Sequence, residues 1–300
     1  MASSTSPGPD PFMSLRQLAR SWRNLAQRRR DRTTPSLAEP VSQLCTASQF
    51  AEPAYARWCE GIHETPRSHR KQWEFVFILQ TLARHGMLTA GRSGIGFGVG
   101  EEPLPALMAR MGVAVTATDL APEAAAGKGW VETAQHAASR EQLNSRGICP
   151  PDEFDRLVQF RSADMNDLPT DLEPADFCWS ACAFEHLGSI EAGLQFVINS
   201  TRLLKPGGMA IHTTEFNCSS NFATLTKGPT VLFRRCDILD LQDRLRRIGC
   251  HMVLNFNQGD LPIDHHVDLP PYGHDNHLKL QIERWVVTSI GLVIFKGDAA

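Results

Sequence analysis

The stretch Gly94-Ile95-Gly96-Phe97-Gly98-Val99-Gly100 decides the fold of this chain. Its glycines alternate with apolar residues where a short strand is predicted to turn sharply into a helix. Glycine permits positive φ angles and lets the backbone approach a ligand closely. A glycine-rich turn is also compatible with a purely structural loop, so its meaning depends on the residues around it.

Strands and helices alternate after this loop. Apolar and β-branched runs predict strands near residues 94–97, 114–118, 158–160, 176–180, 209–214, 252–256 and 285–295, and helices are predicted near 70–85, 104–111, 190–204 and 238–248. This alternation is typical of a parallel sheet that is covered by helices on both faces. We therefore predict an α/β fold with Rossmann-like architecture.

Three segments are predicted along the chain. Residues 1–40 comprise a flexible tail and a basic amphipathic helix, residues 41–90 a helical lead-in, and residues 91–300 the α/β domain. The basic helix is predicted over residues 13–32, where apolar residues recur at helical spacing among arginines. Three interpretations stay open: a solvated helix packed on the domain, contact with an anionic membrane or an acidic partner, and a transit peptide.

Composition argues against several classes of protein. The 300 residues carry a formal net charge of −3, which gives no general attraction to nucleic acid. The eight cysteines form no CxxC pair and no zinc-ligand spacing, as is typical of reduced thiols. No run of about 18 apolar residues is present that could span a bilayer. We expect a cytoplasmic protein with no specific nucleic-acid partner; the oligomeric state stays open.

An acidic residue follows the glycine loop at the distance expected for a nucleoside site. Asp119 comes 19 residues after Gly100, at the end of the next predicted strand. A carboxylate there can accept hydrogen bonds from both hydroxyls of a ribose. Glu101 and Glu102 follow the loop directly, and their charges would repel a pyrophosphate and suit a cation.

From Gly94 to Phe295 the sequence resembles the class I methyltransferases that depend on S-adenosylmethionine (SAM). The segment 202–208, RLLKPGG, is similar to the family's turn from a helix into the fifth strand. The resemblance implies a mostly parallel seven-stranded sheet with an antiparallel last strand. It also implies SAM as cofactor, with Asp119 at the ribose and Asp164 at the adenine amino group. The predicted cofactor-binding residues are Gly96, Gly98, Gly100, Asp119, Leu120, Asp164, Met165 and Ser180.

The chain departs from the family pattern at Gly94, where an acid usually stands two residues before the first glycine of the loop. That acid usually contacts the loop or the amino group of the cofactor. Glu74, Glu101 and Glu102 are the residues that could replace it.

Catalytic candidates follow the fourth and fifth strands of the family pattern. His186, in the sequence Glu185-His186-Leu187, is the first choice for a base or an acceptor-orienting residue, because the family commonly places this histidine near the transferred methyl group. His212 and Glu215 are further candidates for the acceptor site, with loop-fixing roles as the alternative.

A metal site is not predicted. Glu185, His186 and Glu215 are similar to parts of the metal site of small-RNA 2′-O-methyltransferases. However, Cys182 stands where that pattern has its first glutamate, and the matching downstream histidine is absent.

These observations together predict a methyltransferase that acts on a small molecule or a sugar or glycan acceptor, at a hydroxyl group. Two alternatives remain: a nicotinamide-dependent reductase, and a SAM-binding regulator without activity. RNA 2′-O-methylation is disfavoured because the sequence shows no basic aromatic surface.

Overall fold

Ten strands form one mixed sheet within residues 25–121, 139–273 and 276–298, the part of the chain that the computed structural model describes. The strands are β1 Ser42–Leu44, β2 Ser93–Phe97, β3 Ala114–Asp119, β4 Val158–Ser162, β5 Ala175–Ala181, β6 Leu204–Asn217, β7 Cys250–His251, β8 Leu254–Asn255, β9 Leu280–Ile282 and β10 Trp285–Lys296. The main order is β4-β3-β2-β5-β6-β10-β1-β8, and β7 and β9 also pair with β10. The first five strands of this order run parallel, and β10 runs antiparallel to β6.

Helices cover both faces of the sheet. They are α1 Pro53–Gly61, α2 Arg70–Arg84, α3 Leu104–Arg110, α4 Pro151–Leu157, α5 Ile190–Ser200 and α6 Arg235–Arg247. One apolar core contains side chains of α1, α2 and α3 with Phe177 and Trp179, and a second contains side chains of α5 and α6 with Phe97. The predicted Rossmann-like α/β architecture with an antiparallel last strand is confirmed.

The sheet has ten strands rather than the predicted seven, because β1 and β9 are additional and two strands, β7 and β8, stand near the place of one predicted strand. Three of these short strands cover the edge of β10 that faces away from β6. β9 pairs with residues 285–287, β1 with 290–291 and β7 with 295–296. Backbone amides and carbonyls that are buried without partners cost free energy, so this long edge has to be paired. Residues 42–44, predicted within a helical lead-in, therefore form a strand, and the strand predicted at 252–256 is replaced by β7 and β8.

Helix α2 packs across the middle of the sheet. Gly291 in β10 makes this possible, because a Cβ atom at that position would overlap the ring of Phe77. The close approach brings the first turn of α2, with Arg70, Lys71 and Glu74, beside the carboxyl ends of β5 and β6. The lead-in segment thus contributes side chains to the edge where α/β proteins bind ligands.

The predicted basic helix lies partly outside the described residues, which begin at residue 25. Residues 25–30 are helical. Gln27 donates a hydrogen bond to the carbonyl oxygen of Leu254, and Asp31 forms an ion pair with Arg235 at 2.7 Å. These contacts dock the end of the segment on β8 and α6. No described helix combines the length and the apolar character needed to cross a bilayer.

Asp176, at the start of β5, joins three elements at the amino-terminal edge of the sheet. Its carboxylate accepts hydrogen bonds from the backbone amide of Ser93 (2.9 Å), from Arg92 (2.8 Å) and from Lys205 (2.9 Å). Burial alone would raise the pKa of Asp176, but the hydrogen bonds from Lys205, Arg92 and Ser93 outweigh it and hold the pKa well below its ordinary value. Ionised Asp176 therefore stabilises the folded state.

We predict that Asp176→Asn lowers the free energy of unfolding by about 2 kcal/mol at pH 7, because it weakens hydrogen bonds from two cations to a charged group. Since the folded-state pKa is depressed, the wild-type advantage is complete above about pH 4, the ordinary aspartate value, and disappears as the pH falls further. Urea unfolding at several pH values measures this. Asp171→Asn is the control, because Asp171 forms its ion pair with Arg161 on the surface. Equal effects of the two substitutions would contradict the prediction.

Candidate functional site

A cavity of about 330 Å³ opens at the carboxyl ends of the parallel strands. Its walls come from the loop after β2, the ends of β3 and β5, the turn after β4 and the first turn of α2. Open α/β sheets bind ligands at this edge, and the volume lies within the range of small-molecule sites. Of the predicted site residues, Gly98, Gly100, Asp119, Leu120, Asp164, Met165 and His186 line it.

The glycine loop has the conformation that its sequence requires. Gly98 and Gly100 have φ angles of +59° and +50°, which residues with side chains rarely adopt. A Cβ atom on Gly98 would lie 2.9 Å from the Cβ atom of Ala183, across the cavity wall. Gly96 lies within β2, where a Cβ atom would meet the ring of Trp179 at 2.5 Å. Gly98 and Gly100 thus shape the wall, and Gly96 allows the loop to pack on β5.

Asp119 fastens this loop to the end of β3. Its Oδ2 atom accepts a hydrogen bond from the amide of Gly100 at 3.0 Å, and its Oδ1 atom accepts one from the amide of Leu120 at 2.7 Å. The residue is buried, and it lines the cavity. A carboxylate has about four acceptor positions, so accepting from two amides does not prevent it from binding ribose hydroxyls.

Asp164 and Met165, in the turn after β4, form another part of the cavity wall. Asp164 accepts a hydrogen bond from the amide of Asn166 at 2.8 Å, which holds the turn after β4. Met165 is buried, and its sulfur atom lies near the position that a Cβ atom on Gly98 would take. The wall thus offers one polar and one apolar side chain, which suit the polar edge and the apolar face of a purine ring.

Ser180 and His212 do not line the cavity. His212 is fully buried, with Nδ1 at 2.8 Å from Ser180 Oγ and Nε2 at 3.1 Å from Ser200 Oγ. Burial lowers the pKa of His212 to about 3, so the ring stays neutral at pH 7. The ring joins β5, β6 and α5. Ser180 and His212, which the sequence predicted at the cofactor and at the acceptor, are thus placed behind the residues that line the cavity.

Glu215 is also outside the cavity, but close to it. Arg70 lies 2.7 Å from its carboxylate, and Lys71 lies 3.6 Å from it. Burial alone would raise the pKa of Glu215, but the charges of Arg70 and Lys71 outweigh it and lower the pKa. An ionised carboxylate held by two cations is a poor proton acceptor, so Glu215 does not suit the predicted catalytic role.

Glu215 belongs to a group of buried or half-buried polar side chains that we call the charge cluster: Arg70, Lys71, Glu74, Cys182, Glu185 and Glu215. Glu74 accepts hydrogen bonds from Ser289 Oγ (2.5 Å) and from Cys182 Sγ (3.0 Å). Thr214 Oγ1 donates to Glu185 at 3.0 Å. Lys71, Glu74 and Cys182 also line the cavity. Sequence reasoning missed the cluster as a unit, because its members come from three distant segments.

His186 lies at the cavity wall in a short 3-10 turn, Phe184–His186. Its Nδ1 atom is 2.8 Å from the carbonyl oxygen of Pro229. A carbonyl oxygen can only accept, so Nδ1 carries the proton, and in the neutral ring Nε2 then carries the lone pair. The residue thus has the tautomer that a proton acceptor needs.

Glu102 is not charged as the sequence suggested. It is buried and accepts a hydrogen bond from Trp179 Nε1 at 2.5 Å, and burial raises its pKa to about 8. It is therefore mainly protonated at pH 7, and only Glu101 of the pair supplies a negative charge. The backbone offers few donors to a pyrophosphate. The amide of Gly100 donates to Asp119, and the prolines at 103 and 105 have no amide proton.

Comparison with known proteins gives one family match for part of the chain. Residues 95–212 match the family model described as a methyltransferase domain. No curated protein matches the chain significantly.

Three solved structures illustrate the structural likeness. A sarcosine dimethylglycine methyltransferase from Galdieria sulphuraria, itself named as putative, is 16% identical with a TM-score of 0.49, covering 77% of this chain and 85% of that one. Magnesium protoporphyrin IX methyltransferase (ChlM) from Synechocystis PCC 6803, with bound SAH, is 13% identical with a TM-score of 0.44, covering 83% and 96%. The CcbJ methyltransferase from Streptomyces caelestis is 11% identical with a TM-score of 0.41, covering 79% and 92%.

The family match covers the glycine loop, Asp119, Asp164 and the turn at 202–208, which are the features that carried the resemblance in the sequence. Residues 95–212 therefore form a methyltransferase domain, as the resemblance of the sequence to SAM-dependent enzymes implied.

Proposed function

We propose that this chain transfers a methyl group from SAM to a hydroxyl group of a small-molecule or sugar acceptor. The observation that carries the proposal is His186, whose tautomer is fixed by Pro229 at the wall of the cavity that Asp119 and the glycine loop form. SAM, when bound, supplies a methyl group that is activated by its sulfonium.

The residues of the cavity fit SAM. Gly98 and Gly100 line the cavity with positive φ angles and present backbone rather than side chains to a ligand. Asp119 would hold the ribose hydroxyls, and Asp164 with Met165 would hold the adenine, as the family resemblance implies. Glu101 and Glu74 line the same cavity and are the residues that replace the acid missing at Gly94.

His186 would act as the general base. Its Nε2 lone pair would accept the proton of the acceptor hydroxyl during methyl transfer. The bond from Nδ1 to the carbonyl oxygen of Pro229 would hold the ring in place and stabilise the positive charge that forms on it. Methyl transfer otherwise depends mainly on alignment of the two reactants, which the walls of the cavity would provide.

The charge of the cavity wall supports a polar acceptor. Acidic and basic side chains both line it, Lys71 and Arg146 among the latter. This mixture suits a polar molecule with hydroxyl groups better than a polyanion.

We predict that Asp119→Ala weakens SAM binding by roughly 10- to 100-fold, because each hydrogen bond to a charged group contributes about 1.5–3 kcal/mol. Isothermal titration calorimetry with SAM measures this. Asp243→Ala is the control, since Asp243 is an exposed residue of α6. Unchanged affinity in Asp119→Ala would refute the proposed cofactor site.

We predict that His186→Ala slows methyl transfer by roughly 10²- to 10⁴-fold while the Kd for SAM stays within about twofold, because a general base contributes about that factor to the rate. The assay uses methyl-labelled SAM with cell extract that is fractionated into small molecules, glycans, lipids and RNA. His251→Ala, an exposed histidine on β7, is the control. Equal transfer by His186→Ala would remove His186 as the base.

The same fractions test the acceptor class. We expect label in the small-molecule or glycan fraction. Label chiefly in RNA would overturn the proposed acceptor, and SAM binding without transfer to any fraction would favour a regulator without activity.

A further inference from the structure

Two carboxylate oxygens in the charge cluster are buried without a partner. Within the described part of the chain, Glu185 Oε1 and Glu215 Oε2 accept no hydrogen bond. Glu185 is fully buried, and Glu215 is 5% exposed. An unpaired carboxylate oxygen is costly to bury, so some positively charged group is expected beside these two atoms.

The thiol of Cys182 lies near the carboxylates of Glu185 and Glu215. One ligand atom each from Cys182, Glu185 and Glu215 lie within 4.8 Å of one another. Zinc binds sulfur at about 2.3 Å and carboxylate oxygen at about 2.0–2.2 Å, so two ligands of one tetrahedral ion lie about 3.4–3.6 Å apart. Side-chain movements of about 1 Å would therefore bring the three atoms onto one ion.

The charges of the cluster leave room for a cation. Arg70 and Lys71 both approach the Oε1 atoms of Glu74 and Glu215, and among the described residues neither forms an ion pair with Glu215 Oε2 or with Glu185. With all three glutamates ionised, the cluster carries one negative charge in excess. A divalent cation that also displaces the thiol proton of Cys182 would make the cluster neutral.

We propose that Cys182, Glu185 and Glu215 bind one divalent transition-metal ion. One thiolate and two carboxylates suit zinc, and they are poorly suited to magnesium or calcium, which prefer oxygen ligands alone. Binding forms one bond from sulfur and two from oxygen to the metal. The thiol proton, which Sγ donates to Glu74 in the present structure, is released to solvent.

The ion can reach this site from the cavity. Cys182 lines the cavity wall and is only partly buried, whereas the two glutamates lie behind it. Its φ angle of +46° places Cys182 in the left-handed region immediately after β5. Three protein ligands with an opening toward a cavity form the pattern of catalytic rather than structural zinc sites.

A metal there has a use in the reaction. An acceptor hydroxyl bound to the ion would lose its proton more easily, and its oxygen would be held beside the cofactor cavity. This role, unlike metal binding itself, rests on the proposed methylation of a hydroxyl group.

The test is metal binding by the full-length chain after treatment with a chelator. We expect calorimetric titration with Zn²⁺ to give one ion per chain, and Co²⁺ to give a charge-transfer absorption band from thiolate to metal. Cys182→Ser should abolish that band. Glu185→Gln should weaken Zn²⁺ binding at least about tenfold, since even residues outside the ligand shell contribute about that much.

Matched controls separate this site from other thiols and acids. Cys236→Ser removes another partly buried cysteine, and Glu60→Gln removes an exposed glutamate of α1. Both should bind one ion as the wild type does. Thermal unfolding and SAM binding show whether each variant is folded, and Glu185→Gln remains informative if Cys182→Ser does not fold.

Two results would overturn the proposal. One is the absence of stoichiometric metal binding. In that case a proton on Glu185 would neutralise the cluster, and it would give an infrared band of a protonated carboxylic acid that Glu185→Gln removes. The other is metal binding that neither variant changes. Neither readout depends on methyl transfer, so failure of the proposed function would appear separately, in the labelling assay.

Discussion

The hydrogen bonds between the Asp119 carboxylate and the amides of Gly100 and Leu120 are the interaction on which the site depends. A loop with two left-handed glycines has little conformational preference of its own, so its shape must be imposed from outside. Asp119 imposes it by joining the loop after β2 to the end of β3. Thr118 supports this by donating a hydrogen bond to the carbonyl oxygen of Gly96 at 2.8 Å. One carboxylate thus shapes the loop and faces the ligand cavity.

The charge cluster gives the lead-in segment a role in the site. Arg70 is almost wholly buried, and its partners Glu215 and Ser289 come from β6 and β10. Removing such charges from water is costly, and the ion pair between Arg70 and Glu215 offsets part of this cost. Helix α2 therefore cannot shift against the sheet without leaving buried charges unpaired. This constraint holds Lys71 and Glu74 at the cavity wall.

The sequence predicted the features that have a local pattern. Glycine spacing and the acid at 119 predicted the loop and its partner, and the apolar runs predicted the parallel strands. Ser180 and His212 were predicted at the cavity but do not line it, because alternate residues of a strand face opposite sides of the sheet. The neighbouring Ala181, not Ser180, lines the cavity. When both faces of a sheet are buried, the position of a residue near the end of a strand does not predict which face of the sheet its side chain lies on.

The extra strands and the charge cluster could not be predicted for a different reason. Strands of two or three residues, such as β1 and β7, are too short to show a period, and they form because β10 leaves an edge to be paired. The cluster joins residues that are 108 positions apart in the case of Glu74 and Cys182. Such partners are chosen by tertiary packing, about which a single sequence holds no local signal.

The start of the helix after the glycine loop favours a sulfonium over a pyrophosphate for a different reason than the sequence indicated. Two adjacent glutamates indicated repulsion of phosphate, yet burial keeps Glu102 mainly protonated at pH 7. A pyrophosphate site needs amide donors at the start of a helix more than it needs the absence of acids. Here Asp119 accepts from one of those amides, and prolines replace two others. The loop therefore discriminates against phosphate mainly by lacking donors, with Glu101 adding a smaller electrostatic contribution from its exposed position.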